Sequence, residues 1–402
     1  MSPRTAEAGD PTVRYIANTC RSIRGLIESS KHTSGMAKFL MVAIALVEPC
    51  TAFNLLGRFE PLGRPLLERF LADTLPSAPL TWATEGPGAR LQLTFWRWLS
   101  EASGGRYSVL ALPALEEREV RQLVELQEVL PSDSYRIELL PEGTPVPGIA
   151  ATALQPPPSP PALADDSSRV AMERTGAWVE RTLTPSGLQF CPYTASARVA
   201  GSGLEGYGVE PAPIMYAHCA SSSLPELLAA FWSSCAAMVE GGEARTSSIL
   251  LSAPHWDERW DEWCHVVFPL LEEAVLAAGL GRELGIVCFH PEYVTPNEEW
   301  LARHRFGHVH STARLRSYLE IHDLDLAASS SDDEILWAGS YQRRSPHATI
   351  NVLWARQLEQ AEQKRKSSLL YTRNMRKALG EGRTALESQS REERRCPFDH
   401  DA

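Results

Sequence analysis

The chain has 402 residues, 44% of them hydrophobic, with 39 basic against 50 acidic side chains and a net charge of −11. This is length enough for one large domain or two ordinary ones, and the acidic balance weighs against a broad nucleic-acid surface, although Arg356 to Arg395 is locally basic. Eight cysteines without a C-x-x-C pair weigh against a disulfide-stapled secreted scaffold and fit a reducing compartment.

Residues 1 to 75 read as a targeting and linker region. Met36-Ala-Lys38 precedes nine apolar residues, FLMVAIALV, and then EPCTAF, with Cys50 and Ala52 placed as in a signal-peptidase site before Phe53. That run is too short to span a bilayer, so no membrane span is expected in the mature chain. A signal sequence followed by phenylalanine and an arginine-bearing, hydroxylated segment resembles the bipartite presequences of algae with a secondary, red-type plastid. Arg58, Arg64 and Arg69 fit that likeness, whereas Glu60 and Glu68 do not. It implies Met36 as the start and the plastid, or chloroplast, as the destination. The competing reading makes residues 39 to 47 a buried helix or strand.

Residues 76 to 150 offer a small α/β unit. After LQLTFWRWL, the run RYSVLALPAL reads as a strand, EEREVRQLVELQEVL as an amphipathic helix with Val120, Leu123 and Leu126 on one side, and YRIELL as a strand. Residues 151 to 169 are a proline-rich linker, since QPPPSPPALADDSS cannot pack as helix or interior strand.

Residues 170 to 385 alternate helices with strands: a helix from about 170 to 184, a turn at TPSG, a strand at PIMYAHCA, a helix through LPELLAAFWSSCAAMV, a strand at SSILLSA, a helix from Trp256 to Ala278 and a strand at LGIVCF. This is the pattern of a layered α/β domain, or of an α+β one, with helices flanking a sheet. Residues 294 to 342 read as a polar insertion with short helical patches, in which LAASSSDDE is mobile. A long charged helical region is expected after RRSP, ending in a mobile tail from 386 to 402.

Several motifs carry little chemistry. GSGLEG matches G-x-G-x-x-G, but Pro211 and Pro213 follow it, so no helix starts there to hold a pyrophosphate and a flexible turn is expected. HRFGHVH sets His304, His308 and His310 at a spacing that Gly307 prevents any single regular element from aiming inward. No metal is assigned; those three histidines are the candidates, with Cys219, Cys264 and Cys288 beside His218, His265 and His290 as further ligands. Asp257, Glu258, Asp261 and Glu262 fit a helix's first turns, where the dipole favours anions.

One device recurs three times: Cys191-Pro192, His290-Pro291 and Ser345-Pro346 each place a reactive or hydrogen-bonding side chain just before a proline. A proline at the first helical position would make Ser345 an N-cap, and Arg343 and Arg344 beside that helix end would hold a carboxylate or phosphate. Cys191 at a helix N-terminus would be a nucleophilic thiol. His290 is expected at a strand's carboxyl end, sharing one extended face with Cys288 and Glu292.

The segments RTGAWVERTLTPSGLQFCPYTASARV, GIVCFHPEY, RRSPHATINVL and LLYTRNMRKALG, in that order, resemble a bacterial family known as domain of unknown function 1415 over about residues 170 to 385. Where that family reads His-Leu-Leu-Arg, this chain has Asn351-Val352-Leu353-Trp354. The likeness implies relatives but no reaction. The expected function is a small-molecule enzyme acting on an anionic substrate, with His290 as acid or base, Cys191 and Glu292 beside it, and Arg343, Arg344 and Ser345 holding the anion. The alternatives are a noncatalytic assembly or scaffold subunit, which the loss of a histidine and an arginine at 351 and 354 favours, or a metal-binding protein. The sequence points to no cofactor and to no particular protein partner.

Overall fold

In LQLTFWRWL the apolar side chains Leu91, Phe95, Trp98 and Leu99 recur at the spacing of one helix face, and in the computed structural model Ala89–Ala102 is helix α1. The structure describes residues 65, 67–69, 71, 79–83, 89–102, 107–121, 124, 135–154, 166–297, 310–362 and 366–394. The presequence-like run at 36–53, most of the proline-rich linker, His304 and His308, and the residues after 394 lie outside these.

Strands β1 (Leu80–Trp82), β2 (Tyr107–Ala111), β3 (Tyr135–Leu139) and β4 (Gly148–Ala153) form one sheet in the order β1-β2-β4-β3, parallel only between β1 and β2. The helix expected after β2 is helical at Glu117 to Arg121.

Beyond the linker, α2 (Asp166–Trp178) runs into a π-helical turn at Val179–Leu183. A tight loop follows, in which a Cβ on Gly187 would meet the Arg181 carbonyl oxygen at 1.8 Å, so no other residue fits without moving the backbone. Strands β5 (Thr194–Ser196), β6 (Val199–Ala200) and β7 (Ala212–His218) come next, and GSGLEG is a turn before β7, as its prolines require. Helix α3 (Leu224–Gly241), β8 (Ser248–Ser252), α4 (Phe268–Ala277) and β9 (Leu284–Phe289) follow.

The helix expected from Trp256 to Ala278 is broken. It starts as a 3-10 turn at Pro254–Trp256 and passes through a π turn at Trp263–Val267 before α4. A second correction concerns the segment after RRSP. Residues 345 to 348 are irregular and Thr349–Trp354 is strand β10, not helix; helices α8 (Ala355–Glu362), α9 (Lys366–Glu381) and α10 (Arg383–Arg394) come only afterwards. The second sheet runs β5-β6-β7-β8-β10-β9, with β10 antiparallel to both β8 and β9. The molecule is mixed α/β with two mixed sheets, as the alternation of elements predicts.

The polar insertion is also corrected. Residues 310 to 342 carry α5 (Thr312–His322), α6 (Leu324–Ser329) and α7 (Asp332–Tyr341), and Leu315, Leu319, Ile335 and Trp337 pack with Met375 and Ala378 of α9 into a second core. LAASSSDDE ends α6 and caps α7: Ser331 accepts from the Glu334 N–H while Glu334 reaches back to the Ser331 N–H, a reciprocal capping box.

The two sheets share one core. Side chains of the small sheet (Leu110, Ile149), of α1 (Phe95, Trp98), of α3 (Leu227, Phe231) and of the large sheet (Ile249, Ile286, Ile350) form a continuous buried cluster. Helix α2 covers the other face of the large sheet with Trp178 and Val179. Each such fully buried apolar side chain contributes about 1.5–3 kcal/mol.

Candidate functional site at the rim of the large sheet

Strands β7, β8 and β9 run in the same direction, so their carboxyl ends share one edge, the place where open α/β sheets bind ligands. The register sets His218, Ser252, Thr349 and Phe289 in one row along that rim. Helix α2 crosses above it: Ser168 Oγ lies 2.9 Å from His218 Nδ1, and Thr175 Oγ1 lies 2.8 Å from Ser252 Oγ.

His290 stands just past β9, where the sequence puts it, but the strand stops at Phe289 and turns, so Cys288, His290 and Glu292 do not share one extended face. The ring is fully buried against Trp260 and Trp263, with centroids at 5.1 and 5.9 Å. The Glu292 N–H donates to Nδ1 at 3.1 Å, which puts the proton on Nε2, and that donates to the Trp256 carbonyl at 3.0 Å. Both nitrogens are thus engaged with backbone, and burial holds the pKa below the ordinary histidine value. Glu292 itself points to solvent.

The expected anion cradle at 343–345 does not form. No helix starts after Pro346, so Ser345 caps nothing; its hydroxyl donates to the His347 carbonyl at 2.6 Å. Arg343 is buried with Nη2 donating to the Tyr371 hydroxyl at 3.2 Å, and its carbonyl receives the His290 N–H. Arg344 donates to the Tyr293 carbonyl at 3.3 Å and pairs with Glu387 at 3.6 Å.

The loop does present a different group. His347, 6% exposed, has Nδ1 2.8 Å from Asp257 Oδ2, and the other Asp257 oxygen accepts from the Ala348 N–H at 2.6 Å. The carboxylate fixes the proton on Nδ1 and leaves the lone pair on Nε2, which is buried and has no hydrogen-bond partner. Asp257 therefore does more than complement a helix dipole: it belongs to the broken start of the Trp256–Ala278 segment, which lets it reach across to the loop before β10.

Cys191 is half-buried and, since a turn and then β5 follow it, it is not at a helix N-terminus. Its segment nonetheless joins the rest. The Asn374 amide donates to the Phe190 carbonyl at 2.8 Å and to Gln342 Oε1 at 3.0 Å, and Arg373 donates to the Gln189 carbonyl. All four segments that carry the family likeness therefore meet where the large sheet abuts the helical lobe. The expected site side chains do not: His290 faces the tryptophans, Arg343 faces Tyr371, and Ser345 bonds within its own loop.

His310 is the one member of H-x3-H-x-H within the described residues. It is buried between the rings of Tyr371 and Tyr318, at 4.5 and 5.4 Å, with neither nitrogen hydrogen-bonded. Burial, with Arg314 and Arg343 adding to it, pushes its pKa down to about 3. Among the described residues no three His, Cys, Asp or Glu side chains are grouped to hold a metal ion, and no helix is long and apolar enough to cross a membrane.

Residues 170–306, about a third of the chain, match the family model described as Protein of unknown function (DUF1415). That segment resembles the family; the FCPY and FHPEY motifs lie inside the match, while RRSPHATINVL and LLYTRNMRKALG lie beyond it. No curated protein and no solved structure matches the chain.

Proposed function

We propose that the chain is an enzyme acting on a small molecule, with the acid–base step assigned to His347 instead of His290. The observation that carries this reading is the contrast between the two imidazoles. His290 has both nitrogens occupied by backbone groups. His347 has one nitrogen held by a carboxylate and the other buried, unpartnered and at the sheet rim. An oriented base with a free lone pair is the arrangement general-base catalysis needs.

The test is turnover of a panel of carboxylate and phosphate-ester metabolites, followed by mass spectrometry. His347→Gln is expected to lower kcat by at least ~100-fold, in the range that removal of a positioned base produces. Asp257→Asn is expected to lower it less. Turnover by His347→Gln equal to that of the unaltered chain would sink the reading.

A noncatalytic assembly role has one observation in its favour. Ile321, Leu324 and Leu369 are 69%, 70% and 57% exposed, and the His322–Ser368 hydrogen bond at 2.8 Å ties α5, which carries Ile321, to α9, which carries Leu369. Loss of a co-purifying partner on Leu324→Glu would favour it. Delivery to a plastid is likewise a proposal, supported only by residues 36 to 69, and imaging of a fluorescent fusion to that segment tests it.

A further inference from the structure

The two faces of the large sheet are not equally sealed. On the face toward α3 and α4, Leu251, Ile286, Cys288, Ile350 and Val352 are 0–2% exposed and Ile249 5%. On the face toward α2, Leu250 is 3% exposed, Ile214, Val287, Phe289 and Leu353 are 7–9% exposed, and Asn351, midway along β10, is more open still. Solvent thus reaches the middle of an interior strand.

The register explains where. Along the rim row, α2 seats Thr175 on Ser252 and Trp178 on Phe289, with ring centroids 5.1 Å apart. Four residues deeper along the strands, Leu353 pairs with Gly285, where a Cβ would stand 2.4 Å from Leu358 Cδ1, so α8 covers that row. Between them runs the row Tyr216–Leu250–Asn351–Val287; α2 still packs on Tyr216, where a Cβ on Gly176 would stand 3.7 Å from the ring, so the slot we infer between α2 and α8 lies at the Asn351–Val287 end of the row.

Three polar atoms on this side are buried and have no hydrogen-bond partner: Trp178 Nε1, Asn351 Oδ1 and, on the next turn of the same helix, Thr182 Oγ1. Each such atom costs about 1–3 kcal/mol when left unsatisfied, so their presence on this face of the sheet favours a partner that brings a polar edge. The nearby charges are spoken for. Arg181 is bonded to Glu393, and Glu180 accepts from Ser186 and the Ala197 N–H. An ion entering the slot would lose its hydration without a counter-charge.

We propose that the slot between α2 and α8 binds an uncharged, flat, mostly apolar molecule with an amide-type edge, such as a lactam or an N-heterocycle. Trp178 Nε1–H donates to its carbonyl, Asn351 Oδ1 accepts from its N–H, and Leu250, Val287, Phe289 and Leu353 take the apolar body. This site stands apart from the His347 reading, and its failure would leave that reading intact.

The probes are 2-quinolone and its N-methyl derivative, which keeps the shape and carbonyl but has no N–H, each titrated against the full chain by thermal shift and equilibrium dialysis. Binding of 2-quinolone raises Tm with the free ligand concentration L, as RT ln(1 + L/Kd) requires, and the N-methyl compound is expected to bind at least tenfold more weakly. Asn351→Leu, which removes an unsatisfied buried acceptor and so favours folding, is expected to lose 2-quinolone affinity at least tenfold. Trp178→Phe, which keeps a ring against Phe289 and removes only the donor, is expected to do the same. Equal binding of the two probes, binding of neither, or unchanged affinity in both variants would overturn the proposal.

Discussion

Burial moves two titrations in opposite directions within this molecule. The His310 imidazole is held neutral down to about pH 3 against an ordinary value of 6.5. The Glu272 carboxyl is pushed up to about 8 from 4.5, by burial first and Glu273 second. Below 6.5 the unfolded chain protonates His310 while the folded one does not, so this contribution to stability is whole above 6.5 and is lost as the pH falls toward 3. Glu272 has the opposite sign: its contribution is whole below 4.5 and is lost as the pH rises toward 8. Between pH 6.5 and 8 only Glu272 of these two acts, with a slope of at most about 1.4 kcal/mol per pH unit. Urea midpoints are expected to fall across that window and to flatten in Glu272→Gln; His310→Leu should flatten the acid limb instead. An unchanged slope in Glu272→Gln would refute the assignment. At this same scale the sequence placed His290 correctly at a strand end but could not show its hydrogen bonds. FHPEY shows a strand end, but nothing in it shows that Glu292 N–H and Trp256 O take both nitrogens. His347 and Asp257 are 90 residues apart, so their pairing has no local signature. The nearest sequence cue was that RRSPH holds a histidine as well as a serine beside its proline.

Among the elements, those with a clean period were legible and those set by partners were not. β7, β8, β9 and α3 lie within a residue or two of their expected bounds because their apolar runs match a strand's or helix's burial. β10 was missed, although TINVLW is rich in β-branched and apolar residues. The proline before it suggested a helix start, and only pairing with β8 and β9 on both sides decides the matter. LAASSSDDE was misread on composition, yet Ser331-x-x-Glu334 is a capping-box spacing visible in the letters. Ser331→Ala is expected to cost about 1 kcal/mol, read as a lower Tm. Gly187→Ala drives a Cβ into the Arg181 carbonyl, a backbone atom that cannot swing aside. A larger loss is expected, roughly 2–4 kcal/mol as in overpacked or strained sites. If Gly187→Ala melts like the unaltered chain, the loop is not as drawn.

At the scale of the whole molecule, the proline-rich linker suggested two independent units, whereas α1 and α3 interlock in one core that runs from the small sheet to the large one. Calorimetry is expected to show one transition, with Leu227→Ala lowering it as a whole by about 2–5 kcal/mol, the usual range for a buried leucine. Two resolved transitions, with only one shifted by Leu227→Ala, would contradict a shared core. No local pattern could reveal this, because the contacts join residues more than a hundred positions apart.

The place of β10 in the large sheet has a consequence for synthesis. It lies between β8 and β9, yet it follows them by about 97 and about 60 residues. Until the chain has emerged from the ribosome beyond Trp354, both earlier strands keep open edges of N–H and C=O groups, the kind of template on which neighbouring nascent chains associate. The sheet therefore closes only once β10 has emerged, and over the roughly 100 residues synthesised between the end of β8 and Trp354 the growing polypeptide carries an open template.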